Sequence, residues 1–281
     1  MNDLLNKSFV AIKEQHYLNV LMIIVPLLNF LSGITFDLHA PSLPAIANYF
    51  SCPISAAKNT ITVSMLGFAL GCLLFGTLLD LFGRRRIIFM GLMVYAAASF
   101  LALFCSSIDQ LLMIRLTQGI CISAMSVGSR TIIIDTFTGH RFKIALLYTS
   151  IAFSIGPIIA PFIGGILQDH FGWKASFITY GAVALVLAVI FMLYVNESMI
   201  ASPSRFSLKT LLLSYATALR HSGFSSGMII GGISQIQLMV YTTVGSFLIE
   251  NSLHRSAVVY GNSALMISCG WYGWDCCCLS Y

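Results

Sequence analysis

The sequence predicts an all-α integral membrane protein, and three observations support that prediction. Of the 281 residues, 58% are hydrophobic and only 9% are Asp, Glu, Lys or Arg, whereas about a quarter of a soluble chain is charged. Six windows of 21 to 29 residues contain none of these four residue types, and about 20 apolar residues suffice for a helix to cross a bilayer. The apolar runs are continuous rather than alternating, which favours helices over a membrane β-barrel.

Seven membrane-crossing helices are predicted in chain order. The uncharged windows provide six of them, and the fourth helix is an apolar run that Arg115 and Arg130 interrupt. The first window is too long for a cleavable signal peptide, and no small-residue cleavage site follows it. The predicted helices cover residues 17–38, 57–79, 87–105, 110–134, 144–167, 175–196 and 224–249.

These helices divide the chain into three parts. Residues 1–196 form an N-terminal bundle of six transmembrane helices. Residues 197–223 form a cytoplasmic linker whose leucines recur at helical spacing, which indicates a helix lying on the membrane surface. Residues 224–281 begin a second bundle with a seventh helix and a fragment of an eighth. The sequence then reads "CGWYGWDCCCLSY", an aberrant tail that predicts C-terminal truncation by a frame change near 268–272.

The basic residues predict the orientation of the chain. With the N-terminus in the cytoplasm, ten of the 15 Lys and Arg residues fall in cytoplasmic segments and three fall outside, as the positive-inside rule requires. The net charge of +5 is therefore a topology signal, and we expect no nucleic-acid partner. The eight cysteines lack the spacing of a zinc site, so no metal is expected. A disulfide between Cys52 and Cys105 remains open.

The turn between the second and third predicted helices concentrates charge in the stretch "GTLLDLFGRRR" at 76–86. Asp80 lies at the C-terminal end of a helix, where the helix dipole disfavours a negative charge. We therefore expect arginines, or the N-terminus of another helix, to compensate it. Gly83 permits a tight turn, and Gly76 permits the close approach of another helix. The alternative is a plain cytoplasmic anchor made by Arg84, Arg85 and Arg86.

This stretch resembles the signature between helices 2 and 3 of the major facilitator superfamily of transporters. Leu81 departs from the pattern, which usually has Arg or Lys there. In that family the loop acts as a cytoplasmic latch that changes partners as the transporter switches face. The resemblance implies a major facilitator fold, in which two six-helix bundles hold the substrate near the membrane midplane.

The fourth predicted helix carries two further matches to the family. "IRLTQGICISA" resembles the Arg-x-x-Gln-Gly signature through Arg115, Gln118 and Gly119. An arginine inside a bilayer is costly and is a functional candidate by default, the alternative being a side chain that reaches the outer interface. "SRTIIIDTFTG" resembles the Arg…Arg-Asp pattern through Arg130 and Asp135, with isoleucine in place of the second arginine.

The fifth predicted helix carries "SIGPIIAPFIGG", which resembles the antiporter signature of the family. Prolines kink a helix, and glycines let a neighbouring helix pack closely. The resemblance implies export in exchange for protons. The matching residues are Gly156, Pro157, Pro161, Gly164 and Gly165.

The end of the first helix reads "TFDLHAPSLPAIA", which resembles the Asp-x-x-x-Pro-x-x-Pro pattern of Bcr/CflA-type drug exporters. Asp37 lies in the same predicted outer half as Arg115. An aspartate near a positive partner can be poised so that proton and substrate compete for it. The alternative is a carboxylate solvated at the interface. Asn29 stands where some multidrug relatives have a second acidic residue, which argues against a strong preference for cationic drugs.

The resemblance implies proton-coupled efflux of small drug-like molecules by alternating access across a bacterial inner membrane. No enzymatic activity, cofactor or ATP-binding Gly-x-x-x-x-Gly-Lys-Ser/Thr loop is expected, so the proton gradient is the expected energy source. The expected partners are a small-molecule substrate, H⁺ and the lipid bilayer, without an obligate protein partner. We expect the truncated chain alone to transport poorly or not at all. The alternatives are a nutrient or metabolite symporter or uniporter of the same superfamily, and a seven-helix non-transport membrane protein.

Overall fold

The computed structural model describes residues 2–198, 220–249 and 255–266, together with Thr217 and Leu253. Side chains are described from Gln15 onward, apart from several between 231 and 246. The surface helix predicted in the linker and the tail beyond 266 lie outside the described residues.

Helices make up nearly all of the described chain. Eight α-helices and two short 3₁₀ turns follow one another as α1 Asn2–Asp37, η1 Ala40–Ser42, α2 Leu43–Tyr49, α3 Ile54–Phe82, α4 Arg84–Leu101, η2 Ala102–Phe104, α5 Ile108–Thr136, α6 Gly139–Phe171, α7 Lys174–Tyr194 and α8 Ser222–Phe247. A further helical run covers residues 257–266. The predicted all-α class is therefore confirmed for the part of the chain that the structure describes.

Among the described residues, six stretches are long and apolar enough to cross a membrane, and they coincide with the first six predicted helices. The predicted starts were wrong at α1, which begins at Asn2 instead of residue 17, and at α6, which begins at Gly139 instead of residue 144. Both errors have one cause. A charged residue marks where the chain leaves the hydrocarbon, but helical hydrogen bonding continues through it into the aqueous layer.

The centre of the bundle is α5, which contacts α1, α3, α4 and α6. Small residues bring its neighbours close. A Cβ atom added at Gly119 would overlap the carbonyl oxygen of Ser64 on α3, and one at Gly156 of α6 would overlap the backbone of Gly33 on α1. Helices in a bilayer associate through such close contacts because apolar side chains gain little by leaving lipid.

The bundle has two ends with different chemistry. The arginine end carries the Gly83 turn, the turn after α5 and residues 195–198 after α7. At the opposite end the rings of Tyr49, Phe50 and Trp173 pack together. There Lys174 Nζ lies 5.5 Å and 5.6 Å from the ring centres of Tyr49 and Trp173. Amphipathic aromatic rings of this kind are typical of a membrane–water interface.

The elements after the linker contact the bundle near the opposite end. Helix α8 contacts η1 and α2, and Lys58 Nζ lies 5.2 Å from the ring centre of Phe247. The 257–266 helix packs on α6. The large apolar side chains described along α8 between Phe224 and Val240 are exposed, namely Phe224, Met228, Ile229, Ile230, Ile233, Ile236 and Val240.

Candidate functional site

The Arg115 side chain is fully buried, at 0% exposure. Its guanidinium donates to the carbonyl oxygen of Thr35 on α1 at 3.0 Å and to that of Thr60 on α3 at 3.4 Å. It also donates to Gln118 Oε1 at 2.9 Å, one turn along α5. The interfacial alternative for Arg115 is therefore wrong, because the charged head faces helix backbones in the interior and not an interface.

Aromatic rings from α7 complete the surroundings of the guanidinium. The Tyr180 hydroxyl donates to the Thr35 carbonyl oxygen at 3.0 Å. The ring centres of Phe177 and Tyr180 lie 5.8 Å and 5.7 Å from Arg115 Cζ, within cation–π range. Helix α1 thus supplies one carbonyl oxygen to two donors from two other helices.

The Arg-x-x-Gln-Gly signature acquires a structural meaning from these contacts. Arg115 reaches α1 and α3, while Gln118 Nε2 donates to Ser99 Oγ on α4 at 2.7 Å. Gly119 leaves room for the α3 backbone. The three signature residues therefore join α5 to three neighbouring helices.

Asp37 is the last residue of α1 and is 1% exposed. The solvated alternative for this carboxylate is therefore wrong. Asp37 lies two residues from Thr35, whose carbonyl oxygen accepts from Arg115. We call the buried polar residues of this region the Arg115 cluster: Thr35, Asp37, His39, Thr60, Tyr95, Ser99, Arg115, Gln118 and Tyr180.

A second charged group lies at the arginine end, where Arg84 contacts three partners. Its Nη2 lies 2.8 Å from Asp80 Oδ1, its Nε lies 2.9 Å from Asp135 Oδ2, and its Nη1 donates to the carbonyl oxygen of Leu79 at 3.0 Å. Asp80 is thus compensated by an arginine, one of the two options expected for it. The same guanidinium joins the turn signature to the Asp135 signature at the end of α5.

Sequence reasoning missed Glu197, which accepts hydrogen bonds from the backbone N–H groups of Arg84 at 2.9 Å and Arg85 at 3.2 Å. A carboxylate at this place satisfies free N–H groups and the dipole at the N-terminus of α4. Gly83 has φ +90°, and a Cβ there would approach Glu197 Oε2 at 2.6 Å. The glycine therefore provides both the turn and the space. The signal in the sequence was an acidic residue directly after the sixth predicted helix.

Other signature residues lie outside both groups. Arg86 and Arg130 are exposed, and the anchor alternative for Arg86 stays a prediction. Within the chain that the structure describes, no helix uses the close approach that Gly76 permits, since a Cβ there would meet nothing within 4 Å. Cys52 and Cys105 are free thiols, which contradicts the disulfide left open above.

The antiporter signature forms two contact surfaces of α6. Gly156 faces Gly33 on α1, and Gly164 faces the carbonyl oxygen of Leu38 just after α1. Gly165 faces Ala257 at the start of the 257–266 helix. Pro157 and Pro161 are buried within the same helix, and the Pro161 carbonyl oxygen faces Gly261.

An apolar cavity of about 510 Å³, open to the outside of the bundle, lies between residues 22–30 of α1 and residues 148–155 of α6. Sequence analysis did not predict this cavity, because its two walls are more than a hundred residues apart in the chain. Its lining is almost wholly apolar and comprises Met22, Ile23, Pro26, Leu27, Phe30, Tyr148, Ile151, Ala152 and Ile155.

A bundle of six membrane-length helices around a buried ionisable cluster defines a multi-pass membrane protein with an internal polar site. The sequence profile of the Major Facilitator Superfamily matches residues 27–273. The chain therefore belongs to the Major Facilitator Superfamily, a family of transporters and not of enzymes. This assignment excludes the seven-helix non-transport alternative.

Curated relatives agree with the family. An "Uncharacterized transporter" of Rickettsia bellii is 29% identical over 168 residues, which is 60% of this chain and 42% of that protein. A "Bicyclomycin resistance protein homolog" of Haemophilus influenzae is 26% identical, covering 64% of this chain and 45% of that protein. The "4-hydroxybenzoate transporter PcaK" of Pseudomonas putida is 26% identical, covering 61% and 38%. The chain thus spans less than half the length of these three relatives.

Among solved structures, a bacterial homologue of the human lysosomal transporter Spinster shares the fold. That inward-facing crystal structure has a TM-score of 0.63 at 19% identity, over 90% of this chain and 58% of that one.

The contacts of Arg84 lead to a prediction for the arginine end. Arg84→Gln removes two ion pairs and a carbonyl contact from a side chain that is 11% exposed. We expect a loss of about 2 kcal/mol of unfolding free energy, mostly from the Asp135 and Leu79 contacts, because a pair with a half-exposed carboxylate adds little. Arg86→Gln in the same turn is the control, with an expected change within about 0.5 kcal/mol. The measurement is thermal unfolding in detergent, and equal midpoints for the two variants would contradict the prediction.

Proposed function

We propose that the transporter formed with this chain exports small, largely apolar molecules in exchange for protons. The membrane is a bacterial inner membrane with the N-terminus in the cytoplasm. The observation on which the proposal rests is that Asp37 and Arg115 are both buried inside a bundle of membrane-length helices. Ionisable residues inside such a bundle are costly and mark ion or substrate pathways.

Asp37 would carry the exchanged proton in this proposal. A buried carboxylate is costly in its charged form, and a nearby cation offsets that cost. The Arg115 guanidinium is fixed in place by the Thr35, Thr60 and Gln118 oxygens. A proton on Asp37 then changes the charge of the cluster without moving the arginine. The energy source is the proton gradient, and no other cofactor is invoked.

The apolar cavity supports the class of substrate. Its volume of about 510 Å³ lies within the range of about 300–1,000 Å³ that small-molecule pockets occupy. Phe30 of the lining and Asp37 lie on the same helix, seven residues or about 10 Å apart. Helix α1 thus links the substrate wall to the proton site. The drug-resistance name of the Haemophilus relative agrees with such substrates.

The arginine end supports alternating access. Asp80 keeps 55% exposure although it is paired with Arg84, and the surface at Gly76 is open. In the proposal these two residues face the second bundle when the arginine end closes. The latch then exchanges the Arg84 pair for contacts with that bundle.

A nutrient or metabolite transporter is the second candidate function. The observation in its favour is the similarity to a 4-hydroxybenzoate transporter. The two candidates differ in the ligand that the cavity holds.

The test is proton release on ligand binding. The purified 281-residue protein in nanodiscs is titrated with phenylnaphthylamine, a neutral apolar fluorophore, in weakly buffered solution. For the parent protein we expect enhanced fluorescence together with release of a proton. For Asp37→Asn we expect the fluorophore to bind without release of a proton. Asp109→Asn, at the exposed start of α5, is the matched control and should release like the parent. Equal release from Asp37→Asn would overturn proton coupling at Asp37, and binding of 4-hydroxybenzoate but not of the fluorophore would favour the nutrient candidate.

A separate prediction concerns the cavity. Ala152 is the smallest side chain of its lining, so Ala152→Trp should fill much of the volume and weaken fluorophore binding at least about tenfold, or about 1.4 kcal/mol. Ile178→Trp, on the exposed face of α7, is the control. Unchanged affinity in Ala152→Trp would remove the cavity as the binding site.

A further inference from the structure

His39 is a buried histidine that the proposed exchange does not use. It lies in the turn after α1 and is 0% exposed. Its Nδ1 is 3.4 Å from Arg115 Nη2 and its Nε2 is 3.3 Å from Thr60 Oγ1. The ring therefore joins α5 to α3 directly beside the guanidinium.

The surrounding groups determine where the ring proton lies. Arginine is only a donor. The Tyr180 hydroxyl, which is also 3.4 Å from Nδ1, has one proton and gives it to the Thr35 carbonyl oxygen at 3.0 Å. Nδ1 therefore accepts from Arg115 and carries no proton.

The contact with Thr60 determines whether Nε2 carries a proton. The Thr60 hydroxyl gives its single proton to the Ala57 carbonyl oxygen at 2.7 Å. Its oxygen can then only accept from the ring, so Nε2 carries the proton. His39 is thus neutral, in the Nε2–H form, with both nitrogens used.

We propose that His39 is a positioning residue for Arg115: its unprotonated Nδ1 fixes the guanidinium, and a proton on Nδ1 expels it. A protonated Nδ1 would face the Nη2 donor and place two cations side by side. The other titratable groups around the ring are Asp37 on α1, Tyr180 on α7, and Tyr95 on α4, whose hydroxyl lies 2.9 Å from Thr35 Oγ1. The tautomer follows from contacts alone, whereas its role in transport rests on the proposed function.

The first experiment determines the tautomer. Nuclear magnetic resonance on the 281-residue protein in lipid bilayers, with ¹⁵N-labelled histidine and arginine, reports on each ring nitrogen. His39 is assigned as the one of six histidines whose signals disappear in His39→Asn. We expect an unprotonated Nδ1 hydrogen-bonded to an arginine side chain and a protonated Nε2. On acidification, any protonation of Nδ1 should coincide with loss of the arginine hydrogen bond. An Nδ1–H tautomer, or a doubly protonated ring that keeps the arginine contact, would overturn the proposal.

The second experiment separates positioning from structural support. In His39→Asn the amide oxygen takes the place of Nδ1 and can accept from Arg115, whereas His39→Leu offers no acceptor. The Arg115 side-chain signal should keep its hydrogen-bonded shift in the first variant and lose it in the second. His170→Leu, at the exposed end of α6, is the control. If His39→Leu does not fold, the tautomer measured on the parent protein still tests the proposal.

These measurements require no transport. A protein that releases no proton on ligand binding, yet shows the expected tautomer, would refute the proposed function and leave the positioning role of His39 intact. Proton release on ligand binding together with an Nδ1–H tautomer would refute only the role of His39.

Discussion

Arg115→Met is expected to abolish the stable bundle, with the largest loss of any single substitution that we consider. Methionine matches much of the volume of arginine but removes the guanidinium donor from the Thr60 carbonyl oxygen and from Gln118 Oε1. The Thr35 carbonyl oxygen loses one of its two donors and keeps Tyr180. Removing one partner from a buried charged network costs about 3–5 kcal/mol. Thermal unfolding followed by size-exclusion chromatography in detergent measures the effect.

The matched control for Arg115→Met is Arg130→Met, which removes an arginine from the exposed surface of the same helix. We expect its unfolding midpoint to stay close to that of the parent. The unfolding midpoint of Arg115→Lys should lie between those of Arg115→Met and Arg130→Met, since lysine keeps the charge but lacks the planar set of donors of arginine. A similar midpoint for Arg115→Met and Arg130→Met would show that the buried network does not stabilise the bundle.

Gly119→Ala should be strongly destabilising, and Gly76→Ala should be neutral or stabilising. At Gly119 the new methyl group would overlap the Ser64 carbonyl oxygen and crowd the backbone nitrogen of Phe68. Backbone atoms of a packed helix cannot swing aside as a side chain can, so α3 and α5 must separate at a cost of about 1–3 kcal/mol or more. At Gly76 the methyl group meets open space, and alanine gains about 0.5–1 kcal/mol over glycine inside a helix.

The opposite signs make the pair of glycine substitutions informative. Unfolding midpoints of both variants in detergent are the measurement. Two losses of equal size would mean that glycine acts through chain flexibility and not through the α3–α5 contact. A neutral Gly119→Ala would contradict the close approach of these helices.

The helices could be predicted from sequence because bilayer crossing is a local property. A window without charge is long enough to cross or it is not, and five of the first six predicted helices depended only on that. The fourth was predicted from an apolar run that Arg115 and Arg130 interrupt. The starts of α1 and α6 were wrong because a charged residue limits the hydrocarbon segment and not the helix. The open space beside Gly76 could not be predicted either, since glycine permits a close neighbour but does not supply one.

The candidate site could be predicted only at its charged centre. Arg115 and Asp37 were chosen because a charge in lipid is costly wherever its partners lie. Their neighbours His39 and Tyr180 are 76 and 65 residues from Arg115, and an uncharged residue at such a distance gives no local signal. Glu197 is 113 residues from Arg84 and depends on how the end of α7 meets the Gly83 turn. The apolar cavity depends in the same way on the placement of α1 against α6.

The cap that Glu197 forms on α4 has a mechanical consequence. Glu197 is the first residue of the segment that leads to the next helices, and its two hydrogen bonds hold the N-terminus of α4, which packs against α7. Tension along that segment is therefore transmitted to the first turn of α4. A displacement large enough to withdraw the carboxylate frees two N–H groups at the base of α4, beside the Arg84 pairs. Through Glu197, the position of the following helices thus determines whether the first turn of α4 keeps its cap.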